Sequence, residues 1–91
     1  MTNRTCMKCL ISGRVQGVWF RASAQEEAET LGIVGIARNL ADGRVEVQAC
    51  GNESQLEKFY EWLQHGPKLA QVEDIIRESM PWKNYDGFKT E

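Results

Sequence analysis

The stretch "IVGIARNLADGRVEVQAC", from Ile33 to Cys50, contains two strands and the turn that joins them. Its first part, Ile33–Leu40, is mostly apolar, and "ADG" at Ala41–Gly43 is typical of a tight turn. The second part, Arg44–Cys50, alternates apolar and polar residues and so places on one face Val45, Val47 and Ala49. This stretch therefore predicts a β-hairpin.

A strand and a helix precede the hairpin. Cys6–Gly13 alternates, with one face formed by Met7, Cys9 and Ile11, and predicts a half-buried strand. Arg21–Leu31 places its apolar residues on one helical face, and Gly32 is the residue expected just beyond a helix end. A strand and then a helix thus lead into the hairpin.

A helix and one or two strands follow the hairpin. Asn52, with Gln55 three residues later, resembles a capping box at the start of a helix that ends before Gly66. Val72–Ser79 predicts a strand, in which the broken alternation favours a β-bulge. Tyr85–Lys89 predicts a short final strand.

The predicted order is β, α, β, β, α, β, with a short strand after it. Parallel βαβ connections are right-handed, and the hairpin makes its two strands neighbours. Both conditions are met by an α+β ferredoxin-like plait with an antiparallel sheet of order 4-1-3-2, a short extra edge strand and two helices on one face. A chain of 91 residues is expected to form one domain, 1–91.

Composition excludes several classes of function. The chain is 42% hydrophobic and 26% charged, which is typical of a globular protein. A net charge of -2 supplies no global positive field that would attract nucleic acid. The start "MTNRT" has no signal-peptide core and no apolar run is long enough to cross a membrane, so a cytoplasmic protein with free thiols is expected.

The segment "GRVQGVWF" connects the first strand to the first helix. Backbone amides at a helix N-terminus form an anion site, and glycines at Gly13 and Gly17 permit the backbone angles of an anion-binding nest. Arg21 then carries a planar guanidinium suited to phosphate oxygens. The alternative, an ordinary loop with a surface arginine, stays open on spacing alone.

Two motifs resemble the acylphosphatase family: "GRVQGVWFR" at Gly13–Arg21 and "GIARNLADGRVEV" at Gly35–Val47. The resemblance runs from Cys6 to Phe88. It implies a small monomeric enzyme that hydrolyses acyl phosphates without a metal, another cofactor or a covalent intermediate. It also implies a phosphate-binding arginine at Arg21, a catalytic asparagine at Asn39, and a cradle of backbone amides contributed by Arg14, Val15, Gln16, Gly17 and Val18.

This assignment is chemically consistent. An acyl phosphate is already activated, so an enzyme needs chiefly to neutralise phosphoryl oxygens and to orient a water molecule. Arg21 suits the first task, and the side-chain amide of Asn39 suits the second, because it both donates and accepts hydrogen bonds. The first two strands are parallel in this plait, so Asn39 and the loop after Gly13 are expected to meet at one edge of the sheet. The physiological acyl group stays undetermined, as does the group that accepts the proton.

Other candidates are weaker. Cys6 and Cys9 form a C-x-x-C pair, but residues three apart on a strand face opposite sides, which disfavours a metal site. The lone histidine, His65, lies at a helix end. Trp19 is either a lip on the substrate pocket or a packing residue, and packing is favoured. An RNA-binding plait is the alternative from another class, but the predicted open face carries Glu46 and Gln48 where RNA binding would require aromatics.

The sheet order also predicts a cysteine pair. Strands one and three are antiparallel neighbours, and the end of the first at Gly13 is expected beside the start of the third near Arg44. This register places Cys6 opposite Cys50 on the face away from the helices. Directly opposed residues are close enough for a disulfide after a small adjustment. Cys6 and Cys50 are therefore expected to form a disulfide under oxidising conditions, while Cys9 stays reduced in the core. In the cytoplasm the Cys6–Cys50 pair is expected to be mostly reduced. Family members commonly end in a longer strand than "FKTE" from Phe88, so a role for the end of this chain near Arg21 is left open.

Overall fold

The structure, a computed structural model, describes residues 4–91; residues 1–3 of the predicted domain lie outside the described residues. Its elements in chain order are β1 (Arg4–Arg14), α1 (Phe20–Leu31), β2 (Val34–Asn39), β3 (Val45–Asn52), α2 (Glu53–Leu63), β4 (Gln71–Met80) and β5 (Phe88–Thr90).

The five strands form one sheet of order β4-β1-β3-β2-β5. β1 pairs antiparallel with β3 and β4, β2 pairs antiparallel with β3, and β5 adds to β2 in parallel. This arrangement confirms the ferredoxin-like α+β fold, the order 4-1-3-2 and the extra edge strand. It also makes β1 and β2 parallel, since both are antiparallel to β3.

The core lies between the two helices and one face of the sheet. Alternate residues of β1 and β3 point into it, as the two-residue period predicts. Its members include Met7, Cys9, Ile11, Val45, Val47, Ala49, Ala24, Ala28, Leu56, Phe59 and Leu63. Phe59 contacts Phe88 edge to face, with ring centroids 5.8 Å apart, and so ties α2 to the last strand.

Helix ends follow the local sequence signals. The Asn52 side chain accepts a hydrogen bond from the Gln55 amide at 2.8 Å, and the Gln55 side chain accepts one from the Asn52 amide at the same distance, which completes the predicted capping box. Gly32 ends α1 in the left-handed conformation, with φ of 75°.

The predicted bulge is present in β4. Ser12 lies opposite Asp74 and Gly13 opposite Val72, so that Glu73 is the extra residue. The strands approach closely there, because a Cβ on Gly13 would lie 2.2 Å from the main-chain oxygen of Gln71. Gly13 is therefore required by packing against β4.

A segment not assigned to the helices or strands, residues 81–87, crosses the sheet face opposite the helices. The Lys83 amide donates to the Cys6 sulfur at 3.4 Å, and the Tyr85 hydroxyl bonds the side chain of Gln48. Tyr85 thus lies outside the final strand, which begins later than predicted, at Phe88. The face opposite the helices is therefore less open to solvent than predicted. Glu46 on that face is 5% exposed and pairs with Arg38 at 2.8 Å.

Cys6 and Cys50 are direct partners across β1 and β3, the predicted register. The structure joins them by a disulfide, with their Cα atoms 4.1 Å apart. Cys9 is a free thiol on the opposite face, buried in the core. Among residues 4–91 the helices are all too short or too polar to cross a membrane.

Candidate active site

The site lies at the sheet edge where β1 and β2 both end. β1 ends at Arg14 and β2 at Asn39, and the chain passes from β1 into α1 through the β1–α1 loop, residues 15–19. Since β1 and β2 are parallel, this loop and Asn39 lie at the same edge, as the sequence predicts.

Buried side chains hold the β1–α1 loop in place. Val15 is 1% exposed and Val18 is 6% exposed, and both belong to the core. Between them Gly17 adopts φ of 75°, a conformation that a residue with a Cβ adopts only with strain. The loop backbone is therefore anchored on both sides of an exposed glycine.

Gln16 fastens the loop to the β2–β3 turn. Its Nε2 donates to the main-chain oxygen of Leu40 at 2.8 Å and to that of Arg44 at 2.9 Å. Asp42 braces the same turn by accepting from the Arg44 amide at 3.1 Å and from its guanidinium at 2.8 Å. The hydrogen bond from the Arg44 amide makes the largest contribution to lowering the pKa of the Asp42 carboxyl, and the bond from the guanidinium lowers it further. The turn that follows Asn39 is thereby tied to the loop that precedes Arg21.

The loop presents backbone donors at a helix N-terminus. Within residues 4–91, backbone carbonyls accept no hydrogen bond from the amides of residues 16–19. The first turn of α1 contains no acidic residue. Unpaired amides together with the positive end of the helix dipole attract an anion.

A cavity of about 330 Å³ opens beside the loop. Its lining residues come from the loop, the first turn of α1 and the ends of β2 and β5: Val15, Gly17, Trp19, Phe20, Arg21, Ala22, Asn39 and Thr90. The two residues expected to carry the chemistry, Arg21 and Asn39, thus face one cavity although they lie in different elements. We refer to it as the β1–α1 cavity.

Three of the predicted cradle residues lie around the cavity rather than in its lining. Arg14 is exposed at the end of β1, Gln16 bonds the β2–β3 turn, and Val18 is buried in the core. The side chains of Gln16 and Val18 therefore serve other contacts, and any part that the three residues have in lining the cavity falls to their backbone.

The last residues and Trp19 also contribute to the site. Thr90 lines the cavity, and Arg21 donates through Nη1 to the main-chain oxygen of Glu91. The Glu91 carboxylate lies 3.8 Å from Arg38. Nothing in "FKTE" signals these contacts, which depend on β5 adding to β2. The packing role expected for Trp19 is wrong: its side chain is 76% exposed and borders the cavity.

The other candidates lie elsewhere. His65 borders a shallow groove along α2. Burial raises the pKa of the Cys9 thiol to about 12, an effect that the positive charge of Arg77 reduces, so Cys9 is protonated at neutral pH. Among residues 4–91 there is no group of three or more His, Cys, Asp or Glu that could hold a metal ion.

Comparison with known proteins identifies the family. The family model described as Acylphosphatase matches residues 7–90, almost the whole chain. The chain belongs to the acylphosphatase family. Members of the acylphosphatase family are hydrolases, and the chain is an enzyme of this class.

Relatives in the family match the chain over nearly its full length. The chain is 65% identical over 88 residues to an acylphosphatase of Legionella pneumophila (strain Paris), covering 97% of each. Among solved structures, an acylphosphatase from Coxiella burnetii superposes with a TM-score of 0.94 at 38% identity, over 98% of this chain and 94% of that one. The acylphosphatase from Bacillus subtilis gives a TM-score of 0.91 at 33% identity, over 94% and 97%.

Proposed function

We propose that this chain hydrolyses the carboxyl–phosphate bond of acyl phosphates, releasing a carboxylate and inorganic phosphate. The observation that carries the proposal is the shared cavity of Arg21 and Asn39 beside an anchored loop at a helix N-terminus. A guanidinium, free amides and a neutral amide side chain are the groups that hydrolysis of an already activated phosphate requires.

The phosphate half of the substrate binds between Arg21 and the loop. A guanidinium has five N–H donors, so the bond from Arg21 to Glu91 leaves further donors for phosphate oxygens. The amide cradle consists of the backbone of Arg14, Val15, Gln16, Gly17 and Val18. Gly17 supports this role because it is exposed in a left-handed conformation that the anchored neighbours Val15 and Val18 hold in place.

Asn39 positions the attacking water. Its exposed side chain lines the same cavity as Arg21 and has both a donor and an acceptor. The water oxygen forms a bond to phosphorus while the bond from phosphorus to the bridging oxygen breaks, and the carboxylate leaves with that electron pair. A phosphate oxygen accepts the proton of the water, so the step needs no strong protein base.

The remaining inferences concern partners and location. We infer a monomer that acts in the cytoplasm on small molecules, without a cofactor and without binding nucleic acid or membranes. The sheet face that an RNA-binding plait uses carries the buried Glu46 carboxylate and is crossed by residues 81–87, which opposes RNA binding. Size-exclusion chromatography with light scattering tests the monomer.

Hydrolysis of acetyl phosphate in ¹⁸O-labelled water tests the proposal directly. Attack at phosphorus places the label in inorganic phosphate, and the rate should be unchanged by EDTA. Phenyl phosphate, a monoester without an activated carboxyl leaving group, is the matched control and should be hydrolysed far more slowly. Label in acetate would show attack at the carbonyl carbon, and loss of activity in EDTA would show a required metal; either result contradicts the proposed mechanism.

A further inference from the structure

Trp19 combines an exposed side chain with an unusual backbone. Its side chain is 76% exposed, more than the other large apolar side chains exposed within residues 4–91, Leu69, Ile76 and Trp82. Trp82, at 39% exposure, has partners of its own: the Arg4 guanidinium lies 4.7 Å from its ring centroid and its indole N–H bonds Asn84. Single exposed apolar residues are common, so exposure alone assigns no role.

The backbone of Trp19 is in the left-handed region, with φ of 67° and ψ of 20°. Among residues 4–91 it is the one residue other than glycine with a positive φ. A bulky residue is strained in this conformation, whereas a glycine is not. Residues held in strained backbone conformations concentrate at functional sites. The tryptophan therefore occupies a position at which glycine would serve the fold better.

The surrounding structure holds Trp19 in this conformation. Val18 and Phe20 on either side are both buried, at 6% and 1% exposure. The main-chain oxygen of Trp19 accepts the Ser23 amide at 3.0 Å in the first turn of α1. With both neighbours in the core, the indole projects outward at the mouth of the β1–α1 cavity, which it lines together with Arg21 and Asn39.

We infer that Trp19 is a specificity residue that contacts the acyl group of the substrate and favours aromatic or extended apolar acyl groups over acetyl. The inference rests on the proposed function, since it takes the phosphate to lie between Arg21 and the loop. The acyl group is then attached through a single bridging oxygen and extends toward the mouth of the cavity. A flat aromatic ring there removes apolar acyl surface from water and stacks on an aromatic acyl group.

Kinetics with paired substrates test this inference. Wild type, Trp19→Ala, Trp19→Gly and Trp19→Phe are compared on benzoyl phosphate and acetyl phosphate. The ratio of kcat/KM for benzoyl phosphate to that for acetyl phosphate should fall by about 3- to 10-fold in the alanine and glycine variants, chiefly through KM. Trp19→Phe should keep most of the ratio, and Trp82→Ala, the matched control away from the cavity, should keep all of it.

The glycine variant separates the effect of losing the indole ring from the effect of a changed backbone conformation. Glycine adopts the left-handed conformation freely, so Trp19→Gly removes the ring without requiring the loop to move. An unchanged ratio in both the alanine and the glycine variant would overturn the inference, because the ring would then contact no acyl group. An unchanged ratio that comes with equal losses on both substrates would show instead that Trp19 shapes the phosphate site.

Binding of phosphonates gives a readout independent of turnover. Phenylphosphonate should quench the fluorescence of wild type more than methylphosphonate does, and this difference should disappear in Trp19→Phe, although Trp62 and Trp82 remain. If wild type hydrolyses neither acyl phosphate, the proposed function fails, while the titration still tests whether Trp19 contacts the phenyl group. A difference that persists in Trp19→Phe would overturn the inference.

Discussion

The side-chain nitrogen of Gln16 lies 2.8 Å from the main-chain oxygen of Leu40. Gln16 belongs to the β1–α1 loop, whereas Leu40 follows Asn39 at the end of β2. Together with the second bond to Arg44 at 2.9 Å, this contact helps to fix the distance between the loop and Asn39. The glutamine side chain thus adds to the core packing of Val15 and Val18 in placing the two halves of the site.

Gln16→Ala should reduce both stability and activity. Loss of two half-buried hydrogen bonds is expected to lower the free energy of unfolding by about 1–2 kcal/mol, and the looser turn should lower kcat by roughly 10-fold or more. Chemical denaturation and steady-state kinetics on acetyl phosphate measure the two effects. Gln25→Ala is the matched control, since Gln25 bonds the main-chain oxygen of Phe88 at 2.8 Å outside the cavity lining. Equal effects of both variants on kcat would argue against a positioning role for Gln16.

Arg21→Ala should nearly abolish turnover and weaken inhibition by inorganic phosphate. If the guanidinium makes charge-assisted contacts to the phosphoryl oxygens in the transition state, kcat/KM should fall by roughly 100- to 1000-fold. Arg21→Lys should also be poor, because an ammonium lacks the planar fork of donors. Lys58→Ala, which removes an exposed positive charge from α2, is the control for net charge. Wild-type phosphate inhibition in Arg21→Ala would show that the anion binds elsewhere.

Asn39→Ala should separate catalysis from binding. If Asn39 orients water, kcat falls by roughly 100-fold, the scale expected for a preorganised polar group at a reacting centre. The inhibition constant of phosphate should change little, because Arg21 and the loop amides remain. Circular dichroism confirms folding, and Asn84→Ala serves as an asparagine control outside the cavity lining. A parallel loss of phosphate affinity would assign Asn39 to binding instead.

Reduction of the Cys6–Cys50 disulfide should lower stability and leave activity nearly unchanged. The two cysteines are 44 residues apart in sequence, and closing a loop of this size stabilises a protein by about 2–4 kcal/mol through the unfolded state. The disulfide lies at the opposite end of β1 from the site. Denaturation with and without dithiothreitol measures the effect, and a Cys6→Ser/Cys50→Ser variant should not respond to dithiothreitol. Peptide mapping that finds Cys9 in the disulfide would contradict the register.

Cys9 should make stability depend on pH in the alkaline range. Burial raises its pKa from 9.0 to about 12, so the folded protein keeps a proton that the unfolded chain releases above pH 9. The stabilising effect is present below pH 9 and is lost as pH rises toward 12. Denaturation midpoints between pH 8 and about 11 should therefore fall more steeply in wild type than in Cys9→Ala. Identical slopes would show that Cys9 titrates alike in both states; at pH 8 the folded thiol should also resist alkylation.

Much of the fold and the centre of the site follow from local patterns. Alternation in Arg44–Cys50 and Cys6–Gly13 reports which side chains face the helices, because a strand has a period of two. Once the sheet order is known, matching the end of β1 near Gly13 to the start of β3 near Arg44 also places Cys6 opposite Cys50. The parallel course of β1 and β2 then places Arg21 near Asn39, and both line the β1–α1 cavity.

Contacts of irregular segments were decided by the tertiary structure alone. The bond from Arg21 to Glu91 joins residues 70 apart, and the bond from Lys83 to Cys6 joins residues 77 apart. Residues 81–87 have no periodic pattern from which their position could be predicted. Distant partners on β1 and β3 fix that position instead. The position of Trp19 also could not be predicted from the sequence, which favours a packing role for an apolar residue beside Val18 and Phe20. Only the fold, by burying both neighbours, turns its indole outward to the mouth of the cavity.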